Sequence, residues 1–413
     1  MSGSRVALIF AVLLSLPLSL LNAQESRRDR SGGLDLTVNG TGLAIGNIPR
    51  VNGIRINFRD RYLEEVNGLN LTFWKPHENV GGTIRGLALG LVAPTADRIQ
   101  GISVGVGAVV ARRELSGLNL GGLALVSSGL LQGVNLGGLA VVSEGALSGI
   151  SIGGLASVSS GSTRGLSIGG LATVSNGTTK GLSIGGLAAV AEGGVQGISL
   201  GSLAVVSGGD LTGASIGGLA SVAEGRLTGF SLGGLAVVGN GGVKGITGGG
   251  LAVVSGEGDL QGIQAGGLAV VAGGGGMEGL NIGGLAVVAA EGVARGLNVG
   301  GLAVVGVQGV QGVSLGGLAV ASEEYIHGIA LGGYKVEARE ARWLAGSVWK
   351  IQVEEFQGVS VAAWNDHRYL SRGLSIGIFN STDELHGVQI GLLNRAGNNR
   401  RFQWMPIVNA HFD

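Results

Sequence analysis

The chain has 413 residues, 27 basic and 27 acidic side chains, 85 glycines, five prolines and no cysteine. Zero net charge gives no argument for nucleic acid or an anionic surface as partner. The lack of cysteine excludes a disulfide scaffold, thiol catalysis, Cys-ligated zinc and a bacterial lipoprotein anchor. Glycine lies far above its roughly 7% norm with no Gly-X-Y period, so collagen is excluded as well.

The chain opens with a short basic start (Met1 to Arg5), an apolar stretch (Val6 to Leu21) broken by Pro17, and Leu21-Asn22-Ala23 ahead of Gln24. This order predicts a signal peptide over residues 1–23 and an exported mature chain. Glycine interrupts every later apolar run, so no transmembrane helix is expected. Any membrane association must use something other than a helix.

Residues 24–100 read as an N-terminal linker followed by degenerate repeats that form a cap. The repeat opening survives in Gly53-Ile54-Arg55-Ile56, Gly68-Leu69-Asn70-Leu71 and Gly86-Leu87-Ala88-Leu89. Residues 101–322 form the regular array. From Gly117 the unit Gly-Leu-Ser-Ile-Gly-Gly-Leu-Ala-Val-Val-Ser recurs every sixteen residues, with one residue added in the units opening at Gly245, Gly262 and Gly279. Residues 323–413 are degenerate again and rich in Trp, Tyr and Phe, a second cap. Atypical ends around a uniform middle are the mark of a stacked array.

Four or five glycines per unit would each cost a helix about 1 kcal/mol relative to alanine. The alternation of aliphatic with Ser or Asn, as in Gly149-Ile150-Ser151-Ile152, has the period of a strand. Ser-Glu-Gly and Ser-Asn-Gly at a fixed offset mark the turn, the cheapest place for the extra residue. One unit buries too little to stand alone, so neighbours must supply hydrogen bonds and cover. The expected fold is therefore all-β: a β-solenoid of 16-residue coils with degenerate, aromatic-rich caps at both ends. The alternative is an outer-membrane β-barrel with one strand per unit, including a pore. Eleven-residue strands would be long enough, but the only array aromatic is Phe230, where a barrel carries girdles at both interfaces.

Catalysis requires converging polar groups, and the array offers almost none. No catalytic, cofactor-binding or metal-binding residue is assigned, and the chain reads as non-enzymatic. His327 and His386 precede a repeat glycine, in a column otherwise Gln, Ser, Thr, Lys or Arg, and read as solvent-exposed. Gly256-Glu257-Gly258-Asp259 is like a calcium-binding turn, but such turns need a repeated aspartate. One column draws a functional reading: Asn119, Asn135, Ser151, Ser167, Ser183, Ser199, Ser215, Ser231, Thr247, Gln264, Asn281, Asn298 and Ser314. It is expected as an outward ladder of small polar groups. It then either binds a repetitive partner (glycan, ice or another copy of the chain) or is simply the solvated side of a strand. The leucine column of Leu123, Leu139 and Leu155 faces outward if the strand runs through Gly-Gly, and inward if Gly-Gly is a corner. The first glycine of that pair is kept in every regular unit, whereas Ser202 replaces the second once. This predicts the first to be the constrained one.

Gly373-Leu374-Ser375-Ile376-Gly377-Ile378-Phe379-Asn380 and Gly387-Val388-Gln389-Ile390-Gly391-Leu392-Leu393-Asn394 resemble the Gly-Val-Gln-Ile-Gly-Leu-Ile-Asn unit of bacterial surface-exposed repeat proteins. The match covers about the last forty residues and is looser in the array, where Gly-Gly-Leu-Ala stands instead. The resemblance implies location at the cell surface or outer membrane and supplies no functional residues. The functional expectation is an exported structural or adhesive element of the cell surface.

Overall fold

A computed structural model describes residues 32–76, 81–400 and 402–412. The expected signal peptide, most of the linker after it, and His77 lie outside the described residues. The described chain is 73% strand with no helix, wound into about 21 stacked turns of about 16 residues. Each regular coil supplies a longer strand, such as Leu147–Gly153, and a shorter one, such as Ala156–Ser159. Each kind pairs, parallel, with its equivalent one coil away: Ser151 lies between Asn135 and Ser167, and Val158 between Val142 and Val174. This is the β-solenoid. A barrel of sequential antiparallel strands is not formed.

Both ladders hold register through the seventeen-residue units, because the extra residue falls in the turn. Gly239 pairs with Ser255 and Val243 with Leu260, so residues 240–242 face residues 256–259. The degenerate units stack on the same pattern, with Gly42, Gly53, Gly68, Gly86, Gly101 and Gly117 in one column. At the N-terminal end Gly33–Val38 folds antiparallel onto Thr41–Gly46. At the C-terminal end Trp404–His411 does the same on Phe379–Ala396. Each hairpin covers an edge that would otherwise be open to pairing with another chain. The aromatic cluster is at the C-terminal end, where Phe379 lies 5.7 Å from Trp364 and 5.9 Å from Trp404 between ring centres.

The constrained glycine is the one that opens the repeat. In the array its φ runs from +99° at Gly149 to +132° at Gly197, a region that L residues rarely enter. A Cβ on Gly149 would also sit 2.2 Å from the carbonyl oxygen of Gly133 in the coil below. In the Gly-Gly pair neither residue has positive φ, and a Cβ on Gly169 or on Gly170 would each meet a backbone oxygen at 1.9 Å. Space alone thus fails to separate the pair. Ser202 does separate it: the bond from this N–H to the previous coil recurs at Gly154, Gly170, Gly186 and Gly218, and the series skips Ser202.

One coil breaks the glycine column. Trp343 sits between Gly328 and Gly358 with φ +94°, and its side chain is largely exposed. Strain of this kind costs on the order of 1–3 kcal/mol, and an exposed indole has little packing to lose. Trp343→Gly should therefore raise the stability of the C-terminal coils by about 1–2 kcal/mol, seen as a higher urea midpoint. An unchanged or lower midpoint would mean that indole contacts outweigh the strain.

Candidate interaction surface

Parity along the strand decides what each column faces. In the coil of Leu147, the side chains of Leu147, Ser151, Ser157 and Ser159 point inward, while Ile150, Ile152, Leu155 and Val158 point outward. The expected outward ladder is thus corrected. Asn119, Asn135, Ser151, Ser167, Ser183, Ser199, Ser215, Ser231, Thr247, Gln264, Asn281, Asn298 and Ser314 are all buried, none more than 4% exposed. They line the inside of the coil and are not available to glycan, ice or any other partner.

The reason is mutual hydrogen bonding in a narrow interior. Buried polar groups are tolerated when they satisfy one another, and a column of like residues spaced by about 4.8 Å allows it. The Asn119 amide donates to Asn135 Oδ1 at 2.7 Å, and the Asn135 amide to Ser151 Oγ at 3.2 Å. Asn281 donates to Asn298 at 2.9 Å, and Thr247 bonds Gln264. Other bonds cross between the two ladders: Ser167 to Ser157 at 2.9 Å, Thr173 with Ser183 at 2.7 Å, Ser215 with Ser221 at 2.7 Å. The inner faces of the ladders therefore look at each other, and their outer faces look away in opposite directions.

Aliphatic core fills the rest of the interior in two stretches, one ending at Leu147 and the other beginning at Ala189. Between them the same inner columns hold Ser157, Thr163, Thr173 and Thr179. In the first coils the inner polar column carries an ion pair. Arg55 stacks in register with Asn70, Ala88, Ser103 and Asn119, and is fully buried. Its Nη1 donates to Asp60 Oδ1 and to Asn70 Oδ1, both at 2.8 Å. Burial pulls the guanidinium below its ordinary pKa, and Asp60 opposes that.

The leucine column is corrected too. Gly-Gly does make a corner, yet the leucines after it face outward, from Leu171 at 41% exposed to Leu123 at 56%. Their backbone is fully engaged nonetheless: the N–H of Leu155 donates to Leu139 O at 2.7 Å, and Leu171 to Leu155 likewise. Leucine side chains are thus left at the edge because the corner itself is closed by backbone pairing. On either side lie the outward Ile150 and Ile152 columns of the long ladder and the Ala156 and Val158 columns of the short one.

Across thirteen regular coils this arc, Leu118–Val126 through Val313–Ala321, contains no charged residue, and Ser202 is the one polar side chain pointing out of it. The array's charges lie outside the arc, at the turn positions (Arg112, Arg113, Glu114, Glu144, Glu192, Asp210, Glu224, Arg226, Glu257, Asp259, Glu291) and, at the turn end of the long strand, in the column before the opening glycine (Arg164, Lys180, Lys244, Glu278, Arg295). At 4.8 Å per coil the arc is about 60 Å long. Its area is on the order of 1,500 Å², against about 300–600 Å² for the largest apolar patch of a typical monomer. Exposed patches of this size mark interaction surfaces.

His327 and His367 lie in separate surroundings. His327 is half-buried beside Glu340, at 3.1 Å, with its ring 4.5 Å from that of Tyr325 and tilted by 34°. His367 is fully buried, 4.5 Å from the Phe356 ring and nearly parallel to it, with Nδ1 2.9 Å from Ser371 Oγ. No group of three or more His, Asp or Glu able to hold a metal is assembled among the described residues. Burial drives the His367 pKa down to about 3, against a smaller upward pull from Asp366. The folded state thus holds His367 neutral where the unfolded chain, at about 6.5, takes up a proton. Its contribution to stability is intact above about pH 6.5 and declines as pH falls toward 3, at up to about 1.4 kcal/mol per unit. Lowering pH from 7.5 to 5 should loosen the C-terminal coils more in the native chain than in His367→Gln. Equal urea-midpoint shifts in the two would show that the proton goes elsewhere.

No protein-family model, curated protein or solved structure matches this chain.

Proposed function

We propose that the protein is an exported, non-enzymatic structural or adhesive element of the cell surface or outer membrane, working through the aliphatic arc of its solenoid. The observation that carries this is the uncharged outer arc repeated over thirteen coils while the array's charges are kept to the turns and to the column before the opening glycine. A soluble surface ordinarily mixes both signs of charge at about a quarter or more of its positions. The basic-apolar-small start of the chain and the resemblance of its last forty residues to bacterial surface-exposed repeats support export.

The test is surface labelling of bacteria expressing the full chain with its leader. Lys180 and Lys244 are exposed on the charged edge. A membrane-impermeant amine reagent should label the protein on intact cells, and Lys180→Gln/Lys244→Gln should reduce that labelling. Labelling only after lysis would defeat the export reading.

A further inference from the structure

We propose that the occupant of the aliphatic arc is lipid: the rod lies along a bilayer with its leucine edge sunk in one leaflet and its charged turns in water. This rests on the reading of the arc as the working surface, and not on export.

Three observations favour acyl chains over a second copy of the chain. First, the arc wraps two faces that point in opposite directions, as the bonds between the ladders through the interior require. A flat partner covers one face, whereas a fluid apolar medium covers both. A stable dimer needs only about 800 Å² per partner, roughly half of what is exposed. Second, lipid demands that backbone N–H groups find partners within the protein, and the exposed corner meets that demand. Gly154, Leu155 and Ala156 all donate to the previous coil, at 3.0, 2.7 and 3.1 Å. Third, the dimensions fit. From Ile150 to Leu155 the strand descends roughly 15 Å, about half of the ~30 Å hydrocarbon core. Upright insertion is ruled out, because the charged turns run the length of the array and would be drawn into hydrocarbon. Toward the C-terminal end the leucine edge also continues from Leu318 into Tyr334 and Trp349, both exposed. These are the side chains that settle at a membrane interface.

The test uses the purified full-length mature chain and phosphatidylcholine vesicles without anionic lipid. The protein should float with the vesicles, and high salt should not release it. Leu155→Asp/Leu171→Asp/Leu187→Asp/Leu203→Asp should cut the floating fraction at least tenfold, whereas Ser160→Asp/Asn176→Asp on the turn edge should not change it. Because the chain has no cysteine, single Leu187→Cys and Glu192→Cys variants give a readout that does not depend on a fourfold change. A polarity-sensitive dye should shift to the blue with vesicles at position 187 and stay unmoved at 192. Absence of flotation together with a salt-resistant dimer that Leu→Asp substitutions dissolve would overturn the lipid occupant and leave the arc as the working surface. Absence of both flotation and self-association, with the Leu→Asp variant indistinguishable, would overturn the two readings together.

Discussion

Asp60→Ala should unravel the first coils of the solenoid and leave the middle of the array intact. The substitution strands the Arg55 guanidinium, fully buried, without its counter-charge. It also removes the acceptor for Asn57, Asn70 and Thr72, at 3.1, 3.1 and 2.9 Å. Removing one partner of a buried pair costs about 3–5 kcal/mol. A surface pair offers the contrast: Arg50 and Glu64 meet at 2.6 Å but are mostly exposed, so Glu64→Ala should cost about 1 kcal/mol or less. Coils couple only to their neighbours, so amide exchange should rise over residues 41–105 in Asp60→Ala and remain unchanged beyond about residue 200. Uniform exchange along the chain, or none gained at the N-terminal coils, would contradict this assignment.

The architecture was legible because periodicity carries it. A sixteen-residue unit with a glycine-marked turn predicts stacked coils, and the extra residue of the longer units does fall in that turn. The facing of the columns was not legible. Gly149-Ile150-Ser151-Ile152 has a strand period whichever side is inside, and transfer energies favour putting Ile inside. What overrides them here is the stacking of identical units. A serine or asparagine repeated every coil meets its own kind, so its burial is compensated by hydrogen bonds that a single strand would lack. Arg55 illustrates the point. It occupies the Ser151 column, and once that column is known to face inward, a buried acid such as Asp60 becomes necessary. With the column taken as outward, Arg55 is one more surface charge and the pair stays hidden.

The same inversion explains why the aliphatic arc, and not the polar ladder, is the candidate surface. Interior polarity largely paired along the stack frees the solenoid from needing Ile150, Ile152 and Leu155 for its core. Their retention outside over thirteen coils, with charge kept to the turns and the column before the opening glycine, has no folding rationale in the interior. A medium or partner that is itself apolar supplies one.

Glycine substitutions should test the coil geometry most severely. Gly165→Ala places a Cβ at φ +102° and 2.3 Å from the Gly149 carbonyl oxygen. It must therefore bear both backbone strain, on the order of 1–3 kcal/mol, and a coil pushed away from its neighbour. Gly169→Ala keeps an ordinary φ, but its Cβ would lie 1.9 Å from the oxygen of Ala172 in the same coil. Relief requires opening the corner itself. Gly170→Ala meets the Gly154 oxygen of the coil below at 1.9 Å, a clash of the kind already accommodated at Ser202 by giving up one N–H bond. Its cost should be near that of one hydrogen bond, about 1 kcal/mol. The expected order of destabilisation is Gly165→Ala, then Gly169→Ala, with Gly170→Ala mildest, and about 2 kcal/mol or more should separate the extremes. Hydrogen exchange across residues 147–187 should report the damage in that order, confined to adjoining coils. Equal damage from Gly169→Ala and Gly170→Ala would mean that the coil-to-coil bond, and not the closure of the corner, governs the array.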